Sequence, residues 1–501
     1  MRILMISPEG PPLARASALV DVIEALPREL RARGHEIGIV LPYYRAVREN
    51  TAIEHKDTGI TVDVQVGPKN YVAEYLTGRT AGGVQLFYVR CDEFFDREGI
   101  YREHGVAYED NSSRFIFFSK AALELARRLA PSPEILHVHD WATALVPVLV
   151  HAGQMPFRTV LTIHHLADQG NFWGLDFALT NLPERYFTLR SLEYFGRMNL
   201  LKGGVLFADR ITTVSERFRR EMMTAEGGCG LDIVMRENAH RISGILNGAD
   251  YERWNPATDS LLPSVFDAAS LDGKLSCRNA LLEQMGLAPA KVAQASSLHS
   301  SGGSKLEARS TTVFGMVTRL VPEKGFDVLM PVLDRLLSDD VRLIILGEGD
   351  PAYERALAIA ARKYPAKFAY RESYDERLAH LIEAGADVTL IPSQIEPSGL
   401  SAMYSLKYGA LPVARATGGI QEIIRDYDPV GRDGYAFLYY DVSAEAFWDA
   451  IKRGRELFHQ THVWAQLVQR AMEQDFSWQA AASQYEQLYA SVLPQAQVHA
   501  A

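Results

Sequence analysis

Two apolar runs between residues 387 and 420 each end in a turn of small residues, and a carboxylate sits in the first of those turns. Residues 387–391 read as a buried strand that breaks at Pro392-Ser393. Glu396 follows as a lone carboxylate, with Pro397, Ser398 and Gly399 behind it. Leu400, Met403, Tyr404 and Leu406 then recur at helical spacing. Residues 411–414 form a second buried run, which ends at Thr417-Gly418-Gly419. Each turn opens a helix, and the N–H groups of a first helical turn are unpaired donors at the positive end of the helix dipole. That suits a diphosphate. Glu396 beside such an anion needs a cationic or hydroxyl-rich group between the two negative charges, and a sugar carried on a nucleoside diphosphate supplies one.

The elements that must hold these residues repeat one theme. Residues 2–7 read as a buried strand, 8–19 as a loop, 19–33 as a helix with Leu19, Val22, Ile23, Leu26 and Leu30 on one face, and 37–41 as the next strand. This is the opening of a doubly wound domain. Residues 135–138, 159–164 and 208–214 read as further strands, ending respectively in His139-Asp140-Trp141, in His164-His165 and at Ser215. After Asn247-Gly248 the text YERWNPATDSLLP has two prolines and weak periodicity, and reads as a crossover between domains. A second β-α series follows. Residues 313–317 lead to Arg319, Lys324 and Gly325, residues 341–346 to a Gly-Glu-Gly-Asp turn, and residues 369–374 to Tyr374. The stretch 476–493 is an amphipathic helix with Ser477 as its N-cap and Trp478, Ala481, Ala482, Tyr485, Leu488 and Val492 on one face. The order predicts an α/β protein of two doubly wound, Rossmann-like domains facing a cleft lined by loops at the strand C-termini. The domains run 1–247, completed by the helix near 476–495, and 248–475. A Ser/Ala/Gly-rich insertion at 288–312 reads as flexible and without chemistry.

A chain of 501 residues exceeds one ordinary core, in keeping with two domains. A net charge of −10 without a basic run argues against nucleic acid as a partner. Cys91, Cys229 and Cys277 are odd in number and lack metal-ligand spacing, so a reduced compartment is expected and a metal site is not. The opening MRILMIS reads as a strand rather than a leader, and no apolar run is long enough to span a membrane. A cytoplasmic location follows as the expectation.

With these residues in hand, the chain resembles the bacterial glycogen synthase and plant starch synthase family. The resemblance lies in LPRELRARGHEIGIVLPYY, YEDNSSRFIFFSKAALEL, HVHDWATALVP, TIHHLADQGNF, NLLKGGVLFADRITTVS, SGILNGADYERWNPATD, VTRLVPEKGFDVL, IEPSGLSAMYSLKYGALPVARATGGI and DFSWQAAASQYEQLY, which run nearly end to end. It implies the GT-B fold and transfer of glucose from ADP-glucose to the nonreducing end of an α-1,4-glucan, with retention and no metal or other cofactor. The partners it implies are a nucleotide-sugar donor and an α-glucan acceptor. It makes Arg319 and Lys324 the pair that holds the donor diphosphate, and Glu396 a carboxylate on the donor glucose. Gly399, Leu400 and Ser401 become phosphate donors, with Gly418 and Gly419 in the adjoining turn of the donor site. Tyr374 stacks on adenine, His164 contacts glucose, and Asp140 and Asn247 lie near it. Asp21 and Arg15 belong to the donor or acceptor contacts of the first helix and its loop. No carboxylate pair shows glycosidase spacing, which favours a front-face route in which the leaving diphosphate takes the acceptor's proton.

The resemblance breaks in two places. Where the family has Lys-x-Gly-Gly-Leu after the first strand, this chain has Arg15-Ala16-Ser17-Ala18-Leu19. A Cβ limits how closely a ligand approaches the backbone, and the arginine is larger and forked. In the loop after the strand at 159–164, His165 stands for Asn and Asp168 for Tyr. Three readings stay open: an active α-glucan synthase with a remodelled loop, a related retaining glycosyltransferase with another donor or acceptor, and a binding protein without turnover. A dinucleotide-dependent dehydrogenase is excluded, since no G-x-G-x-x-G follows the first strand.

Overall fold

The computed structural model describes residues 1–11, 14, 17, 19–50, 55–103, 105–290 and 311–493. The chain forms two compact units, one of Met1–Gly248 with Trp478–Ala501, the other of Ala249–Ser477.

The first unit is built on strands β1 (Arg2–Ile6), β2 (Glu36–Pro42), β3 (Lys56–Val66), β4 (Lys69–Arg79), β5 (Gln85–Arg90), β6 (Ile135–His139), β7 (Arg158–Ile163), β8 (Arg210–Thr213) and β9 (Ile242–Gly244). They make one nine-stranded sheet in the order β9-β8-β7-β6-β1-β2-β5-β4-β3. Pairings from β9 to β5 are parallel, whereas β4 and β3 are antiparallel. The sequence explains the split. β1 is an apolar run and β6 sets His137 and His139 among apolar residues, both strands being buried as central parallel strands are, and β3 alternates buried and exposed positions as a half-solvated hairpin does. Helix α1 (Leu19–Ala32) buries the face predicted for it. The C-terminal helix, Trp478–Val492, buries Tyr485, Leu488 and Tyr489 and packs on α1. Arg33 on the turn after α1 donates to Glu486 (3.0 Å) and Ser483 (2.8 Å) of that helix.

The second unit has β10 (Thr312–Val317), β11 (Val341–Leu346), β12 (Phe368–Arg371), β13 (Val388–Ile391), β14 (Leu411–Arg415) and β15 (Phe437–Tyr439), all parallel, in the order β12-β11-β10-β13-β14-β15. Each unit is thus a doubly wound α/β fold whose chain starts mid-sheet and winds outward twice.

β12 stops at Arg371, and Tyr374 lies in the loop beyond. Two expectations change. The insertion 288–312 has structured ends: Thr311 and Thr312 are buried, Thr312 opens β10, and the carbonyls of Ala288 and Pro289 accept from Arg342. Residues 291–310 of it lie outside the described residues. The proline-bearing stretch after Gly248 has little regular structure, yet it is no loose crossover. Trp254 stacks on His380 (ring centroids 3.7 Å) and Tyr404 (4.5 Å), and Asp259 accepts hydrogen bonds from Tyr408 (2.6 Å) and pairs with His380 (2.7 Å). Those partners sit on helices α2 (Glu376–Gly385) and α3 (Leu400–Lys407) or on the residue after α3, so aromatic packing replaces periodicity there.

Candidate active site

The two units place their chemistry at equivalent positions. Strand order reverses between β1 and β6 in the first unit and between β10 and β13 in the second, and loops diverge at such points to leave room for a ligand.

In the second unit the loop after β10 carries Arg319, Lys324 and Gly325, and the loop after β13 carries Glu396 and leads into α3. Glu396 is not the lone carboxylate of the sequence. Lys324 Nζ donates to its Oε2 (2.6 Å), and the Ser393 hydroxyl donates to the same atom (2.9 Å). Both members of the ion pair are largely shielded from water, which strengthens their attraction relative to a surface pair. The loops are also tied through the backbone. Gln394 N–H donates to the Glu323 carbonyl (2.8 Å), and Gly419 N–H to the carbonyls of Glu396 (3.1 Å) and Pro397 (3.0 Å). Two glycines make this approach feasible. Gly325 has φ +79° and a Cβ there would lie 2.0 Å from the Pro392 carbonyl oxygen, while Gly418 has φ +46° and a Cβ would lie 2.1 Å from that of Glu396. Gly399 sits at the N-cap of α3, so Leu400 and Ser401 form its first turn, whose amides lack intrahelical acceptors by position. Arg319 shares the loop of Lys324 but extends into solvent with Glu323 at 3.7 Å. Tyr374 is 52% exposed, so its ring is not part of the core.

In the first unit Asp140 follows β6 and His164 follows β7. They meet: His164 N–H donates to Asp140 Oδ1 (2.7 Å). Asp140 holds φ +56°, a conformation that costs a non-glycine residue energy and is found at functional sites. Burial pushes its carboxyl up to about 8, with Glu9 and Asp168 adding to the rise and the amides of His164 and His165 opposing it. Burial pushes His164 down to about 3, so its imidazole is neutral at ordinary pH. Asn247 is buried beyond the end of β9, with Oδ1 lacking a hydrogen-bond partner among the described residues. Asp21 lies in the first turn of α1. Arg15 falls outside the described residues, as do Ala16 and Ala18.

Sequence reasoning missed the part played by four residues, Ser393, Glu9, Tyr101 and His139. Ser393 supports Glu396. Glu9, buried after β1, accepts from Ser17 N–H (2.7 Å), from the Ser17 hydroxyl (3.1 Å) and from Tyr101 (3.0 Å). Ser17 Oγ in turn accepts from Leu19 N–H (3.2 Å), so the residue that departs from the family pattern is built into the start of α1. His139 lies 3.0 Å from His164, Nδ1 to Nε2. Only His139 carried a signal, standing beside Asp140 in HVHDW with strand alternation to orient it. Among the described residues no group of three or more His, Cys, Asp or Glu side chains is disposed to hold a metal, and no helix is long and apolar enough to cross a membrane.

Residues 2–237 match the profile of the family described as starch synthase catalytic domain, and residues 304–456 that of glycosyl transferases group 1. The chain is 37% identical over 496 residues to glycogen synthase of Koribacter versatilis, covering 98% of both. It is 37% identical over 509 residues to glycogen synthase of Anaeromyxobacter dehalogenans, covering 99% of this chain and all of the other. Among solved structures, the catalytic domain of starch synthase IV from Arabidopsis thaliana, bound to ADP and acarbose, matches with TM-score 0.87 and 30% identity over 98% of this chain and 99% of that one.

Proposed function

We propose a reaction for a chain that belongs to the glycogen synthase family and has the GT-B fold: transfer of glucose from ADP-glucose to the nonreducing end of an α-1,4-glucan, with retention of configuration. The observation that carries the reading is the shielded Lys324–Glu396 pair at the switch point between β10 and β13, beside the first turn of α3.

In this reading the bond from glucose C1 to the diphosphate oxygen breaks and a bond from C1 to the acceptor hydroxyl oxygen forms on the same face. The hydroxyl proton goes to the departing diphosphate. Negative charge grows on that diphosphate, and cations and amides offset it, Lys324 from its place on Glu396 and Arg319 after swinging in from solvent. Lys324 and Arg319 supply the cations, and the backbone at Gly399, Leu400 and Ser401, with the Gly418-Gly419 turn, supplies the amides. Glu396 accepts from a glucose hydroxyl and anchors Lys324. Tyr374 offers an exposed ring for adenine to cover. His164, Asp140 and Asn247 orient the glucose, and Asp21 and Arg15 complete the donor or acceptor contacts. Neutral His164 and a largely protonated Asp140 serve as hydrogen-bond donors rather than charges.

The test is transfer of labelled glucose from ADP-glucose and from UDP-glucose onto glycogen, by the full-length protein. Incorporation from ADP-glucose is the expected result, with Glu396→Ala losing turnover while ADP still binds by calorimetry. Absence of incorporation from either donor overturns the reading, and ADP binding without transfer makes the chain a binding relative.

A further inference from the structure

We propose that His139 is a positioning residue that fixes the tautomer of His164, so that His164 offers a protonated Nδ1 to the substrate. The proposal rests on the reading of His164 as a glucose contact and deepens it.

The argument begins with strand alternation, which puts His137 and His139 of β6 on one face with ring centroids 4.2 Å apart. His137 is engaged at both nitrogens, Nε2 with Thr162 Oγ1 (2.6 Å) and Nδ1 with the hydroxyl of Tyr489 on the C-terminal helix (2.8 Å). His139 is fully buried, and its backbone is clamped by Thr143, whose Oγ1 accepts from the His139 amide and donates to the His139 carbonyl, each at 2.8 Å. Its Nδ1 is 3.0 Å from His164 Nε2, a distance that calls for one proton between the rings. Burial holds both imidazoles well below their usual protonation range, so neither carries a second proton.

Two arrangements remain, and the other nitrogen of His139 decides between them. Its Nε2 is buried without a hydrogen-bond partner among the described residues. If His164 donated to His139, that Nε2 would carry a buried N–H with nothing to receive it. If His139 Nδ1–H donates to His164, Nε2 carries only a lone pair. An orphaned buried donor is rarer and costlier than an under-used acceptor, so the second arrangement prevails. His164 then holds its proton on Nδ1, the nitrogen left for a ligand, and presents it to a sugar oxygen as a donor only.

The tautomer can be read directly by long-range proton–nitrogen correlation spectra of full-length protein labelled with 15N-histidine, with His164→Asn used to assign the signals. The expected pattern is protonated Nδ1 and bare Nε2 for His164. A protonated Nε2 overturns the proposal, and the spectrum decides this whether or not the His139 variants fold. In kinetics, His139→Leu removes the donor and is expected to lower kcat about 10-fold, with KM for ADP-glucose little changed. His139→Asn returns an amide N–H close to the Nδ1 position and is expected to recover most of that loss. If the Asn variant is as slow as the Leu variant, His139 acts by packing and the proposal fails. Failure of the wild type to transfer glucose is a separate outcome, since the spectrum needs no turnover.

Discussion

Glu383 on α2 is a buried carboxyl whose Oε2 has no hydrogen-bond partner among the described residues, and Glu383→Gln tests what that burial does. Burial raises its pKa from 4.5 to about 7, against the opposing pull of Ser405 and the Lys274 cation. The unfolded chain loses this proton near 4.5 while the folded chain keeps it to about 7, so the folded state binds more protons between those values. Stability therefore falls as pH rises through that window and is fully present only below it, and the loss amounts to about 3 kcal/mol once both states are ionised. Glutamine does not titrate, so the variant lacks this slope. Its amide introduces a buried donor that costs about 1–3 kcal/mol at every pH, which shifts the whole curve without tilting it. The assay is calorimetric unfolding of wild type and variant at several pH values from about 5 to about 8. The difference in stability should move in favour of the variant by about 2.5 kcal/mol across the range, which is roughly 5–10 °C in Tm for a unit of this size. Other titrating groups, Asp140 among them, cancel in the comparison. Parallel curves for the two proteins would refute the reasoning, because Glu383 would then ionise alike folded and unfolded.

Lys324→Met leaves Glu396 shielded without its cation and removes a charge from the proposed diphosphate site; kcat should fall by about 100-fold or more, and a change of less than about threefold in steady-state transfer assays contradicts the role. Gly418→Ala forces a Cβ against the Glu396 carbonyl at a positive φ, so the unfolding free energy in urea should drop by more than about 1 kcal/mol and transfer should fall with it. Ser17→Gly restores the family's glycine but removes the hydroxyl's bonds to Glu9 and Leu19; a loss of about 1–2 kcal/mol in denaturant titrations is expected, and a more stable or more active variant shows that the serine obstructs the loop instead.

The site residues differ in how far their sequence announced them. The face of α1, with Leu19, Val22, Ile23, Leu26 and Leu30, is legible because helical periodicity is a local property, and all five are buried. The strand-end loops holding Glu396, Lys324, Asp140 and His164 are legible for the same reason. What is not legible is pairing at long range. Lys324 and Glu396 are 72 residues apart, and Glu9 and Tyr101 are 92 apart, so neither bond leaves a local pattern. The antiparallel β3–β4 hairpin is a different case, since its alternation is plain but marks only a half-buried strand and points to no chemistry. The segment around Trp254 misled in the opposite sense, since one large ring between His380 and Tyr404 anchors it without any period.

The return of the helix Trp478–Val492 to the first unit sets an order on synthesis. Residues 249–477 emerge from the ribosome as one continuous stretch and can close their own sheet as they appear. The first unit, begun earlier, waits through all of that for Tyr489 to reach His137 and for Glu486 to reach Arg33. Until then the surface destined for that helix stays wet, including the imidazole row behind His164. A chain halted after residue 477 would therefore carry its defect in the half made first, although the missing residues are the last of those described.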